Sequence, residues 1–406
     1  MTNSRQVHCI RELARQVAEI GSSFEQQRIQ QRWRNTYMCR PADRAPVWLR
    51  PSKQCWGELL PEETLTCQIP FLRHMERELR QQLIRDSFAD DSIILPYWHV
   101  DAAIDFEGDH LWGVAVQRIL PEGDGGAWSY DPPIKNETDM KRLRMPHWYH
   151  DAAETDRRVE QYSEVLGDTL PVRLRAQPPL FPGVGHNASD LIGLDALLLN
   201  MALAPDMIHE LMTFIRDSVL CCQDEVEAMG ILTENNDDPI HFSESLKQTP
   251  KSVPVKLGDL WLRTESQQFQ GVSPDMWREF CLDYQRPIME RFRYVSYGCC
   301  ENLTDRIDSV LAIPNLKIFV NSPWTDLSTT AQKCGDRFSI VWRQNASRVL
   351  HATDMTPIRH GLEEGLKITR GCHRAIVLQE LTSCHGNPGR LSDWAETATR
   401  AAERCA

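Results

Sequence analysis

From about residue 44 onward the chain alternates short apolar runs with longer helical patterns, and no other feature limits its possible folds as much. The runs fall at Ile93–Trp98, Val114–Val116, Pro171–Leu174, Val255–Leu257, Tyr294–Val295, Lys317–Val320, Phe338–Val341 and Ala375–Leu378. Runs this short read as strands, and strands separated by helices pair in parallel, because a parallel neighbour needs a long crossover. About eight such units predict an α/β fold, a closed (β/α)8 TIM barrel whose active site lies in the loops after the strands. No GxGxxG follows an early strand, which disfavours a doubly wound nucleotide fold. Residues 1–40 read as a partly basic N-terminal helical extension, a solvated helix pair laid over a barrel of residues 41–406.

Composition narrows the function classes. With 41% hydrophobic and 25% charged residues in 406, the chain is globular. A formal charge of −12 disfavours a nucleic-acid surface, which needs a concentrated basic face. There is no run of about 18 apolar residues and no apolar core of a signal peptide near Met1, so the expectation is a cytoplasmic protein with no membrane partner. Its thirteen cysteines are then mostly reduced thiols. Cys221-Cys222 lies in an apolar helical stripe and reads as core packing. Cys299-Cys300 has no such stripe.

That second pair belongs to Tyr294-Val295-Ser296-Tyr297-Gly298-Cys299-Cys300-Glu301, where two thiols and a carboxylate sit at the end of the fifth predicted strand. Further candidates stand at other strand ends. His99 and Asp101 form a possible acid–base pair after Trp98. Glu265 is a base or ligand in a fourth-strand loop. Trp48, Trp98, Trp261 and Trp324 either plug a barrel or wall a ring-shaped ligand. Thr233–His241 reads as a lid or excursion, and Gly123-Asp124-Gly125-Gly126 as a flexible turn.

Several segments in order carry a family resemblance: Arg44-Ala45-Pro46-Val47-Trp48-Leu49-Arg50, Ser322-Pro323-Trp324-Thr325-Asp326-Leu327, Gly335-Asp336-Arg337, Asn345-Ala346-Ser347 and Cys384-His385-Gly386. Together they resemble the uroporphyrinogen decarboxylase superfamily, TIM barrels that include zinc-dependent, corrinoid-linked methyltransferases. The resemblance implies methyl transfer between a small methylated compound and a corrinoid or thiol acceptor. Zinc would be held by Cys299 and Cys384, with Glu301 or His385 as further ligands or acid–base groups beside His99 and Asp101. Trp48, Arg50, Trp98, Glu265, Tyr297, Trp324, Arg343 and Asn345 would surround the substrate. The chain has no corrinoid-binding domain, so a corrinoid would arrive on a partner protein. Two departures stand out: Tyr297 replaces the histidine of the zinc-binding relatives, and Arg50-Pro51-Ser52-Lys53-Gln54 replaces the Arg-Gln-Ala-Gly-Arg run of the decarboxylases. Metal-free decarboxylation of a carboxylated substrate is the alternative.

Overall fold

The computed structural model describes residues 3–119 and 129–406, so the Gly123–Gly126 turn lies outside the described residues. Eight strands run in parallel pairings: β1 (Val47–Pro51), β2 (Trp98–Asp101), β3 (Val172–Arg175), β4 (Trp261–Thr264), β5 (Tyr294–Tyr297), β6 (Leu316–Asn321), β7 (Ser339–Gln344) and β8 (His373–Leu381). Six of them form one curled sheet in the order β1-β8-β7-β6-β5-β4, and β2 pairs with β3 separately. Among the described residues no backbone ladder joins β1 to β2 or β3 to β4. The strands are those of an α/β unit, but the ring of pairings expected of a closed barrel is not seen.

Three predicted runs do not form parallel strands where the sequence put them, the first being Ile93–Trp98, which is irregular up to Tyr97 so that β2 takes only its last residue. Val114–Val116 leads into an antiparallel hairpin of Gln117–Ile119 with Ser129–Asp131. Val255–Leu257 stops at a 3₁₀ turn, and β4 begins only at Trp261. The missing first strand is Val47-Trp48-Leu49, an apolar run too short to register beside Arg44 and Arg50.

Side chains account for the gap beside β1. Asp91 accepts from the Val47 amide at 2.7 Å and Asp90 from the Leu49 amide at 2.6 Å, while the Asp91 amide donates to the Val47 carbonyl at 2.7 Å. Two carboxylates thus satisfy the edge that a neighbouring strand would otherwise pair, as buried backbone groups require. Burial lifts Asp90 to about 7, so it enters this role partly protonated at neutral pH. Asp91 is 1% exposed and is neutralised by Arg32 and by Arg44 at 2.5 Å.

One face of the six-stranded sheet carries the crossover helices Leu327–Cys334, Thr356–Ile368 and Gly389–Arg404, which bury Ala331, Leu366 and Trp394. The approach is close: a β-carbon on Gly365 would lie 2.1 Å from the Trp342 ring, so only glycine fits. On the other face Ile318, Val320, Val341, Ala375 and Val377 pack against Ile29, Trp33 and Tyr37 of the helix Phe24–Tyr37. The expected solvated helix pair is therefore corrected. Ile29, Trp33 and Tyr37 recur at i, i+4 and i+8, an apolar stripe that places this helix against the inner face of the sheet. The first helix, Asn3–Gly21, buries Ile10, Leu13 and Val17 against Leu72, Met75 and Leu79. Among the described residues no helix is long and apolar enough to cross a membrane.

Replacing Asp91 with alanine leaves Arg32 a buried charge short of one partner and the Val47 amide of β1 unsatisfied, while the bond from the residue-91 amide to the Val47 carbonyl is kept. Urea denaturation of Asp91→Ala is expected to show a loss of about 3–5 kcal/mol, the cost of breaking a buried pair from one side. A loss no larger than that of an exposed substitution would contradict this account of the β1 edge.

Candidate active site at the strand ends

β5 ends at a corner that only glycine can turn. Gly298 has φ +113°, and a β-carbon there would sit 2.9 Å from the Val320 carbonyl. The residue before it, Tyr297, is fully buried and donates to Gln285 at 2.8 Å; Gln285 in turn donates to Thr264 at 3.1 Å and to the Glu265 carbonyl at 2.7 Å. Gln285 follows a π-helical segment, Arg278–Leu282, a widened turn found often at functional sites. Tyr297, a candidate for the substrate wall, thus faces Gln285 and fixes the ends of β4 and β5.

Beyond the corner, the Cys299 and Cys300 sulfurs lie 3.4 Å apart. Arg343, on β7 and 2% exposed, donates to the Cys299 carbonyl and approaches the two sulfurs at 3.7 and 3.8 Å. It also pairs with Glu380 of β8, whose carboxylate accepts from the Cys300 thiol at 2.6 Å. Glu380 reaches them because β8 bulges there. The register with β1 slips between the Leu49–Leu378 and Pro51–Leu381 pairs, and Glu380 takes φ +67°, uncommon for a residue with a side chain. Strained conformations of this kind cluster at functional sites.

The hydrogen bond from Cys300, then the charges of Arg343 and Arg263, bring the Cys299 thiol down to about 6 against the opposing effect of burial. Cys300 moves up, through its bond to Cys299, its burial and its bond to Glu380. A thiol has one proton, so Cys300 cannot donate to Glu380 and Cys299 at once. When Glu380 takes it, the guanidinium still faces the Cys299 sulfur. Arg343 and Arg263 thus favour the thiolate at Cys299, while the bond to Glu380 keeps the proton on Cys300.

Two carboxyl groups lie alongside. Glu301, 1% exposed, accepts from the Ser266 amide at 2.9 Å and hydroxyl at 3.2 Å, and from the Cys299 amide at 2.9 Å. It ties the β5 corner to the β4 loop. Glu265 is buried as well, and burial, reinforced by the negative charges of Glu301 and Cys299 and opposed by the Gln267 amide, lifts it to about 8. It therefore holds a proton at neutral pH.

A cavity of about 960 Å³ opens between β1 and β2. Its wall includes Trp48, Arg50, Arg85, His99, Arg175 and Asp237. His99 lies 2.9 Å from Asp237, which also accepts from Tyr97 at 2.9 Å; the second ring nitrogen of His99 is buried without a partner. Asp101 is not the partner of His99: it is exposed and pairs with Arg175 across the β2–β3 register at 2.6 Å. Arg50 lies over the Trp48 ring at 5.3 Å, and its charge neighbours are Arg263, Asp238, Arg343 and Cys299, so it borders both the cavity and the thiol corner. Arg50 and Arg85 make no ion pair among the described residues, and burial lowers both.

Other candidates stand apart from this group. The Cys384 thiol donates to Glu58 at 2.9 Å, His385 lies 5.1 Å from the His351 ring, and Asn345 caps the helix Ala346–Leu350 by accepting from the Arg348 amide at 3.1 Å. Trp324 is 62% exposed, and Trp261 is buried against His241. Only Trp48 and Trp98 of the four tryptophans line the cavity, Trp98 stacked on Tyr162. The residues at the corner do not fit zinc as arranged. A guanidinium already faces both sulfurs, and Cys384 is engaged by Glu58. Among the described residues the group with metal-ligand spacing is His147, Cys221 and Glu225, remote in sequence from this corner.

Sequence reasoning missed Glu380, Arg85, Arg263 and Glu58. Glu380 carried the one usable signal, a charged residue inside the apolar run of β8. Asp237 lay within the predicted lid segment, three residues of which, Asp237, Asp238 and Pro239, do line the cavity.

The sequence matches no protein-family model and no characterised protein. In structure the chain is similar to a methyltransferase from Methanosarcina mazei, with a TM-score of 0.52 and 12% identity over 92% of this chain and 98% of that one. The likeness spans nearly the whole of both chains and is one of fold.

If Arg343 holds Cys299 as a thiolate, Cys299 should alkylate first among the thirteen cysteines when iodoacetamide is added at pH 7. Peptide mapping of an Arg343→Met variant should show its labelling midpoint moved up by about 1–3 pH units. An unchanged midpoint would remove Arg343 from the account.

Proposed function

We propose that this protein is a methyltransferase in which the Cys299 thiolate takes a methyl group from a small methylated donor bound between Arg50 and the β5 corner. One observation carries the reading: a reactive sulfur, held beside a buried guanidinium, stands at the end of a parallel strand where such folds place their chemistry. The family resemblance and the methyltransferase of like fold support methyl as the group moved. We further propose that β2 and β3 complete a barrel with the six-stranded sheet, Asp90 and Asp91 standing in for part of the ladder.

The step balances with the groups present. The Cys299 sulfur attacks the methyl carbon, an S–C bond forms, and the bond from methyl to its heteroatom breaks. The departing heteroatom keeps the bonding pair and takes the proton of Glu265. In the return step an acceptor thiol gives its proton to Glu265 and its sulfur takes the methyl, leaving Cys299 a thiolate. A small thiol suits this directly. A corrinoid would have to be presented by a partner protein. Zinc takes no part, because Arg343 supplies the positive charge beside both sulfurs.

A second reading has its own observation. Arg50 and Arg85 line the cavity without ion pairs, which suits a substrate bearing carboxylates and favours a metal-free decarboxylase. Release of carbon dioxide from such a substrate, undiminished in Cys299→Ser, would select it.

Methyl transfer should rise with pH as Cys299 ionises near about 6 and fall as Glu265 loses its proton near about 8. Glu265→Gln should lower the rate by about 10²–10⁴-fold and abolish the alkaline limb. Incubation with methylated amines, thioethers and methoxy compounds should leave one methyl group on the Cys299 peptide, read by mass spectrometry. If no donor does so and Cys299→Ser retains transfer, the reading fails.

A further inference from the structure

The adjacent thiols have a second chemistry open to them. Neighbouring side chains on a strand point to opposite faces, yet here both sulfurs lie on one side, because the chain has left β5 at Gly298 before it reaches them. They are 3.4 Å apart and share Arg343, at 3.7 and 3.8 Å, but only Cys300 donates its proton to Glu380, at 2.6 Å. No third thiol competes: Cys384 is held by Glu58, and Cys281 is fully buried.

We infer that Cys299 and Cys300 form a reversible dithiol–disulfide couple, closed by a hydroperoxide and reopened by a small dithiol, so that the transfer site is also a site of oxidative modification. The inference rests on the nucleophilic Cys299 of the proposed function. In the first step the Cys299 thiolate attacks the terminal peroxide oxygen, the O–O bond breaks, Cys299 becomes a sulfenic acid, and the departing oxygen takes a proton from solvent, replacing the one Cys299 gave up on ionising, and leaves as alcohol or water. In the second, Cys300 passes its proton to Glu380 and attacks the Cys299 sulfur. The S–O bond breaks, and the oxygen leaves as water with the proton that Glu380 took. Two thiols and one hydroperoxide thus give one disulfide, one alcohol and one water. Glu380 is the positioning residue and proton carrier for Cys300.

Reversibility follows from covalent geometry. Adjacent α-carbons are about 3.8 Å apart across a trans peptide, shorter than the roughly 4.4–6.8 Å that disulfides prefer. A bond closed over that span is strained, and strained disulfides are the readily reduced ones. Closure also consumes the thiolate, so the oxidised protein has no nucleophile.

One equivalent of hydrogen peroxide followed by non-reducing digestion tests the couple. The peptide holding both cysteines is expected to lose two hydrogens and to regain them with dithiothreitol. In Cys300→Ser the reaction should stop at a sulfenic acid on Cys299, trapped by dimedone, and Glu380→Gln should slow closure while leaving the first step unchanged. Transfer activity should fall by at least about tenfold on oxidation and return on reduction. A peptide that keeps both thiols while Cys299 proceeds to sulfinic acid, or a disulfide to any other cysteine, would overturn the inference. The mass readout needs no methyl donor, so a failed search for donors leaves it standing. A methyl on Cys299 without disulfide closure overturns this inference alone.

Discussion

A buried guanidinium has to be neutralised, and the candidate site is organised around that necessity. Arg343 is 2% exposed on a central strand, where an unpaired positive charge would cost several kcal/mol. Its partners are the Glu380 carboxylate, the Cys299 carbonyl and two sulfurs. Two of these partners stand outside their ordinary states. Glu380 accepts a left-handed backbone and a bulge, and Cys299 ionises below the usual thiol range. A structural ion pair would need only the carboxylate. The extra approach to two thiols makes this arginine part of a reactive site.

The acidic groups complete the electrostatics by opposing one another. Glu301 spends its oxygens on the Ser266 and Cys299 amides, which pins its carboxylate, and with it a charge felt by Glu265, at the corner. That charge, with the Cys299 thiolate, helps hold a proton on Glu265. Two carboxyl groups in nearly the same burial therefore do different work: one locks the loop and the other stores a proton next to a nucleophile. Such divergence between neighbouring titratable groups marks acid and base assignments.

Much of the fold was legible, because the alternation of short apolar runs with helices survives in the parallel strands. β5 to β8 lie where the runs placed them, and Cys299 and Arg343 do sit at the ends of β5 and β7. The misses have physical causes. β1 is half capped by aspartates and lacks the length of a buried run, while the stripe Ile29, Trp33, Tyr37 was diluted by arginines that the fold pairs or lays along its edge. His99 and Asp101 looked like partners from their spacing alone. Spacing could not foresee that cross-strand register would give Asp101 to Arg175, or that Asp237 would arrive from a loop more than 130 residues away. Cys384 followed the resemblance to the last strand loop, but the Glu58 carboxylate, from the helix after β1, claims its proton.

The break in the sheet and the cavity are one feature. A barrel with every strand laddered fills its interior with layers of side chains and leaves little room for a ligand. Here the β1 edge is satisfied by Asp90 and Asp91, so β2 need not press against it, and the space between becomes the 960 Å³ cavity. Trp48 and Arg50 reach into it from β1, and His99 from β2. The positive charges of Arg32 and Arg44 that neutralise Asp91 lie behind this edge, whereas Arg50 and Arg85 face the space unpaired. An anionic group entering there would meet cations that, among the described residues, form no ion pair and rest only on the Trp48 and Trp56 rings. The carboxylates that satisfy the β1 edge thus leave the room between β1 and β2 that the cavity occupies.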